Sequence, residues 1–248
     1  MATVTGSTVV LYRTESAATL LTTLASAGVE GGALHAHGPP LHGPDGADIA
    51  DTINIVAASR GLEAMVWDGD APADPAGASR LVRDSGASLL VVEWQPRIID
   101  GHLDLARQLL DHPPCDILMV RPGGLSRIEA ISVALGPGPN APLIGSLARR
   151  WSEAFDVPAK AIRGVDREEQ IPQAEALCAQ LAPGIPAEVT VGRDLVNLLV
   201  SAAQRSGFLA LGATEGLPLD RLGVRTVGTR LAQRAEATIV VGRRVEGA

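Results

Sequence analysis

Two glycine-bearing loops hold the residues best suited to chemistry. The first, Leu135-Gly136-Pro137-Gly138-Pro139-Asn140, directly follows an apolar run. Glycine lets backbone approach a ligand closely, and the N–H groups opening the next helix favour an anion. The second, Gly212-Ala213-Thr214-Glu215-Gly216-Leu217, follows another apolar run and leads past Gly223 to Gly228-Thr229, which opens a helix through Arg234. Together they form a candidate phosphate cradle, in which backbone N–H groups and the Thr229 hydroxyl donate to phosphate oxygens. The candidate binding set is Gly136, Pro137, Gly138, Asn140, Gly212, Ala213, Thr214, Gly216, Gly228 and Thr229. Arg221, Arg225 and Arg230 flank the second loop and can neutralise phosphate. The plainer reading of both loops is a tight strand-to-helix turn, and of the arginines a solvated face.

Other chemistry-bearing residues assemble less well. His35 and His37 share one face of a strand and His42 follows in a Pro/Gly-rich loop, but no Cys, Asp or Glu completes a familiar ligand set. Packing is their expected role, and no metal site is predicted. His102 and His112 read as surface residues. Asp45, Asp48 and Asp51 gather at a helix start, where carboxylates complement the dipole. There is no Gly-x-Ser-x-Gly elbow and no Walker lysine motif, so neither a hydrolase triad nor a P-loop has an anchor. No catalytic residue is assigned, because no general base or nucleophile occupies a defensible position.

The elements that must position these loops are short apolar runs alternating with helices. In the first half the expected strands are Thr8–Tyr12, Gly32–Ala36, Leu62–Trp67, Ser88–Glu93 and Asp116–Val120. In the second they are Ile128–Leu135, Ala159–Arg163, Glu188–Val191, Leu209–Gly212 and Thr238–Val241. Their Val, Ile and Leu content without clean alternation predicts strands covered on both faces. Helices are expected over Ser16–Ala27, stopped by Gly28, over Pro142–Phe155, and over Leu195–Arg205, closed by Ser206-Gly207.

The 248 residues are 46% hydrophobic but only 2% aromatic, so the core must be built from Ala, Val, Leu and Ile. A formal net charge of -7 with a pI near 5.2 lacks the electrostatic footprint of a general nucleic-acid binder. Cys115 and Cys178 lie far apart outside any C-x-x-C motif and read as reduced thiols. No signal segment is visible and the longest apolar runs are strand-sized, so no membrane insertion and a cytoplasmic location are expected.

The two halves repeat. Ser85-Gly86-Ala87-Ser88-Leu89-Leu90 matches Ser206-Gly207-Phe208-Leu209-Ala210-Leu211, and Ile117-Leu118-Met119-Val120-Arg121 matches Ile239-Val240-Val241-Gly242-Arg243. The shift is nearly constant at about 120 residues. Arg121-Pro122-Gly123-Gly124 is the breaker-rich boundary, giving domains over residues 1–122 and 126–248. Strand–helix alternation implies a doubly wound, five-stranded parallel sheet in each, with ligands at the strands' carboxyl ends.

In these residues and in its repeat, the chain resembles the universal stress protein family in its tandem two-domain, Rossmann-like form. That family carries Gly-x2-Gly-x9-Gly-[Ser/Thr] after strand four; Gly212, Gly216, Gly228 and Thr229 follow the same pattern as Gly-x3-Gly-x11-Gly-Thr. The run Leu211–Leu217 and the Gly-Pro-Gly-Pro-Asn loop are similar to stress-protein domains attached to bacterial transporters. Gly136 stands where ATP-binding members usually carry aspartate. The first half has Glu93-Trp94-Gln95-Pro96-Arg97 after its strand four and is expected not to bind nucleotide. The resemblance implies a regulatory protein binding ATP, ADP or AMP, with Mg accompanying the nucleotide, in its second domain. It also implies pairing of the last strands into an internal pseudo-dimer, with homodimerisation open, and turnover no greater than weak ATP hydrolysis. The alternative is a scaffold or interaction module, related to cytosolic domains of transporters, that binds an unidentified protein partner and no nucleotide.

Overall fold

The structure is a computed structural model describing residues 4–41, 48–69, 71–95, 105–124, 127–213 and 227–245. The chain divides into two compact units, Met1–Pro122 with Arg244–Ala248, and Gly123–Arg243.

The first unit contains β1 (Val4–Thr5), β2 (Ser7–Leu11), α1 (Glu15–Gly28), β3 (Val29–Glu30), β4 (Ala33–Gly38), α2 (Ile49–Ala58), β5 (Glu63–Asp68), α3 (Pro75–Ser85), β6 (Ala87–Glu93), α4 (Leu105–Asp111) and β7 (Asp116–Arg121). Five of its strands run parallel in the order β5-β4-β2-β6-β7. β1 and β3 form a separate two-residue parallel ladder. Helices α1 and α3 both pack on β2 and β6, with α1 beside α2 and α3 beside α4. The sheet is thus covered on both faces, which is why Val9, Val10 and Leu89 through Val91 carry no alternation and are fully buried. Asp48 caps α2 by accepting from Ala50 N–H at 2.9 Å, and Asp74 caps α3 by accepting from Gly77 N–H at 2.7 Å. After the second unit the chain returns here: Val245 N–H donates to the Asp116 carboxylate at 2.8 Å.

The second unit contains β8 (Ile131–Ala134), α5 (Ala141–Phe155), β9 (Ala159–Val165), the short 3-10 turn Glu168–Gln170, α6 (Ile171–Leu181), β10 (Ala187–Val191), α7 (Leu195–Ser206), β11 (Phe208–Gly212), α8 (Val227–Arg234) and β12 (Thr238–Arg243). Its parallel order β10-β9-β8-β11-β12 repeats that of the first unit. Helix α5 packs beside α6 and α7 beside α8, while both α5 and α7 touch β8 and β11. Trp151 meets Phe208 edge-on with ring centroids 5.6 Å apart, anchoring an otherwise aliphatic core.

α1 ends on Gly28 itself, one residue beyond the expected Ala27, with Val29 following as the extended C-cap. Two local expectations shift. β8 is shorter than Ile128–Leu135, because Glu129 and Ala130 turn their N–H groups to the Ser206 carbonyl before the ladder begins. Leu195 points outward at 44% exposure, and Val196, Leu199 and Val200 form the buried stripe of α7. Gly207 closes α7 in the left-handed conformation at φ 71°, as the sequence requires of that position.

The sheet registers refine the repeat. Leu89 pairs with Asp116 and Phe208 with Thr238, so Glu93 stands where Gly212 stands and Trp94 where Ala213 stands. The helix-closing glycines Gly86 and Gly207 correspond as the sequence match has them. β6 then carries extra residues, accommodated at a register irregularity between Ser7 and Thr8, so the strand residues do not align as the sequence match placed them.

Candidate functional site

In both units the first and fourth strands end side by side at the point where strand order reverses, and the two units fill that place differently.

In the second unit, Leu135 N–H bonds the Ile162 carbonyl at 3.2 Å, and the chain then leaves the sheet through Gly136-Pro137-Gly138-Pro139. A turn closes with Ala141 N–H on the Gly138 carbonyl at 3.1 Å. Asn140 occupies the N-cap position of α5 but makes no side-chain cap bond. Its amide instead donates to the Ala213 carbonyl at 2.9 Å, and the residue is 1% exposed. Gly212 permits this: a Cβ there would fall 3.0 Å from Asn140 Cβ and 3.2 Å from Ala141 N. Gly136 and Gly138 have the opposite surroundings, with nothing within 4 Å of a Cβ at either. Their N–H groups donate to nothing among the described residues.

The structure thus brings Asn140, Gly212 and Ala213 together, with the Gly136–Gly138 loop open beside them. Gly228 lies buried in the first turn of α8, which packs on α7 and β12, and Arg230 is exposed. Thr214, Gly216, Arg221 and Arg225 lie outside the described residues, as does the first unit's loop over 96–104.

A feature that sequence reasoning missed lies on the other side of β8. A pocket of about 690 Å³ opens at the carboxyl ends of β9 and β10 under α6, lined among others by Pro137, Arg163, Asp166, Gln173, Ala176 and Arg193. Only Pro137 belongs to the predicted binding set. Arg163 Nη1 donates to the Leu135 carbonyl at 2.8 Å, while its Nε is buried with no partner among the described residues. The available signal was an arginine in the otherwise apolar run Ala161-Ile162-Arg163-Gly164-Val165.

In the first unit both places are filled. The Glu93 carboxylate accepts from Arg13 N–H at 2.6 Å, from Thr14 N–H at 3.0 Å and from the Thr14 hydroxyl at 3.0 Å. It therefore occupies the entrance to α1, where an anion would otherwise sit. Gln95 adds a fourth donor at 3.2 Å. Trp94, 1% exposed, follows it. The pocket position is closed as well. Tyr12 N–H bonds the His37 carbonyl as Leu135 N–H bonds that of Ile162, so Gly38 corresponds to Arg163. A Cβ on Gly38 would fall 2.3 Å from the Tyr12 ring, which lies over it.

His35 and His37 both stack on Trp67, with ring centroids at 5.4 and 4.6 Å. Burial, and then the adjacent His35, push His37 down to about 4; burial lowers His35 too. Among the described residues no group of three or more His, Cys, Asp or Glu can hold a metal ion, and His42 lies outside them. Burial drives Cys115 up to about 12, with Asp116 adding to it, and raises Cys178. No helix among the described residues is long and apolar enough to cross a membrane.

No protein-family model and no curated protein matches the chain by sequence. Solved structures do match. The cytoplasmic domain of a prokaryotic cation chloride cotransporter superposes with a TM-score of 0.64 at 9% identity, over 97% of this chain and 96% of that one. A universal stress protein from Archaeoglobus fulgidus DSM 4304 does so with a TM-score of 0.62 at 12% identity, over 97% of both chains. The fold is therefore the α/β fold of universal stress proteins, present twice in tandem.

Proposed function

We propose that this chain is a regulatory protein of the universal-stress-protein type that senses an adenine nucleotide in its second unit alone. One observation carries the reading. The Asn140–Ala213 bond holds the loop after β8 against the end of β11, and beside the junction lie the N–H groups of Gly136 and Gly138, which donate to nothing among the described residues. Such a cluster of backbone donors suits phosphate oxygens. Gly212, Ala213, Thr214, Gly216, Gly228 and Thr229 would complete the cradle for ATP, ADP or AMP, with Mg bound to the nucleotide. The first unit carries its own carboxylate, Glu93, at the corresponding place and would serve as structural partner.

A second reading is a protein-interaction module without nucleotide. The superposition on a cotransporter's cytoplasmic domain favours it, as does the plugged first unit. Calorimetry with ATP, ADP, AMP and cyclic AMP separates the two. Saturable heat from the parent protein, weakened at least about tenfold in Gly138→Asp, supports the first reading, since a carboxylate there would repel phosphate. Gly138 has room for the side chain, so the variant should fold. No heat from the parent removes the nucleotide and leaves the interaction module.

A further inference from the structure

We infer that the open edge of β5 in the first unit is a docking site for an extended, arginine-bearing peptide segment of a partner protein, which adds as a further strand beside Trp67. The inference goes beyond the nucleotide reading and does not depend on it. β5 is the outer strand of its sheet and pairs with β4 alone among the described residues. Such an edge offers a row of backbone N–H and C=O groups to another chain, and strand addition is a recurring mode of peptide recognition. Proteins commonly guard an edge with a lysine, a proline or a bulge. Between Glu63 and Asp68, β5 carries only Ala, Met, Val and Trp.

Trp67 defines what an added strand would meet. It stands opposite His37 in the ladder, and the two rings lie 4.6 Å apart and parallel within 2°. That distance is close to one inter-strand spacing, about 4.8 Å. The rings therefore stack across the strands, and the second face of the indole looks off the edge, leaving Trp67 43% exposed. A side chain at the matching position of a new strand would continue the stack. Burial holds both histidines low, so the stack is uncharged at neutral pH and does not repel a cation. A guanidinium suits the place, because it stacks on an indole face.

The charge distribution agrees. Residues 1–122 hold 7 Lys or Arg against 15 Asp or Glu, while residues 123–248 hold 14 against 13, so the whole acidic excess lies in the first stretch. Residues 61–79, which span β5 and the turn after it, carry Glu63, Asp68, Asp70 and Asp74 and no Lys or Arg. A second copy of the chain fits less well, since antiparallel pairing of two β5 edges sets Glu63 against Asp68, like charge on like. The second unit closes its matching edge. Tyr12 N–H bonds the His37 carbonyl as Leu135 N–H bonds that of Ile162, so Glu188, which pairs with Ile162, corresponds to Trp67. Glu188 accepts from Arg205 at 2.8 Å and meets Lys160 at 4.0 Å. The fold therefore does not require a stacked indole there.

The test is NMR of the full-length 15N-labelled protein, following the β5 amides and the Trp67 indole N–H. The probe is a hexapeptide of alternating arginine and valine. One control carries glutamate in place of arginine, and a second is N-methylated so that its backbone cannot pair. The expected result is a saturable shift of the β5 signals with the arginine peptide and none with either control. Trp67→Ala should weaken that binding at least about fivefold. Should that variant unfold, Glu63→Lys serves instead, because exposed Glu63 can change sign without disturbing the core and should also weaken binding. The inference is overturned if the arginine peptide leaves β5 unmoved, if either control binds as well, or if folded Trp67→Ala or Glu63→Lys binds as the parent does. It is overturned too if the β5 signals move with protein concentration alone, which would assign the edge to a second copy. No nucleotide takes part, so failure of one reading is distinguishable from failure of the other.

Discussion

The Asn140 side-chain amide donates to the Ala213 carbonyl at 2.9 Å, so two loops far apart in sequence are tied at the place where the second unit's strand order reverses. Asn140→Ala removes the donor and leaves a buried carbonyl to find another. The expected loss is about 1–3 kcal/mol, read as a lower urea midpoint with an unchanged slope. Asn140→Asp should cost more than Asn140→Ala, because it sets a carboxylate oxygen against the carbonyl.

The glycines of the site divide by what surrounds them. A methyl group at Gly212 meets Asn140 and the start of α5 at 3.0–3.2 Å, tighter than packing accepts without a shift. Gly212→Ala should destabilise by about 1–3 kcal/mol. Gly136→Ala and Gly138→Ala meet nothing within 4 Å and should move stability by no more than about 0.5 kcal/mol. Equal losses at all three positions in chemical denaturation would contradict this division.

Much of this architecture could be read in advance, for identifiable reasons. Strands buried on both faces show as unbroken Val/Leu/Ile runs, so their centres were legible and their ends were not. Gly207 was legible as a helix stop because it takes a left-handed conformation there; Gly28 marked the end of α1 to within one residue, but the cap is the extended Val29 and not the glycine. The repeat was visible from Ser85-Gly86 and Ser206-Gly207, but the extra residues in β6 hid the correspondence of Glu93 with Gly212. The Asn140 bond was hidden because a polar residue after Pro139 reads equally as a cap. Arg163 was hidden because a strand arginine ordinarily snorkels to solvent, and only the neighbouring Leu135 carbonyl and α6 make it a pocket residue.

The His35–Trp67–His37 stack predicts an acid-sensitive first unit. His37 sits near 4 in the folded chain against an ordinary 6.5. Between those values the unfolded chain binds more protons, so stability must rise with pH there. The contribution is complete above about 6.5 and is lost as pH falls toward 4. His37→Phe keeps an aromatic ring beside Trp67 and removes the titration. Its urea midpoint should fall less than the parent's between pH 7 and pH 4.5; parallel declines would refute the assignment.

Cys115 and Cys178 are both buried, and Cys115 is held near 12. The thiolate is the reactive form, so neither should react with a thiol reagent at pH 8 in the native protein. Both thiols of the chain's 2 cysteines should appear on unfolding in guanidinium. Rapid reaction of one thiol without denaturant would show that α4–β7 or α6 opens locally.

Glu93 supplies the sharpest test of how the two units diverged. Its carboxylate takes two backbone N–H groups and a hydroxyl at the entrance to α1, and these are charge-assisted bonds. Glu93→Ala should therefore cost about 2–4 kcal/mol, more than an ordinary cap. It should also uncover an anion site that the parent lacks. Inorganic phosphate would then occupy the vacated donors and recover part of the loss, because a ligand that binds only the folded state raises stability as its concentration rises. The measurement is Tm against phosphate concentration at constant ionic strength, for the parent and for Glu93→Ala. A steeper rise in the variant is expected. Equal slopes would mean that Glu93 holds α1 for packing alone, and that the first unit differs from the second in more than the residue that plugs it.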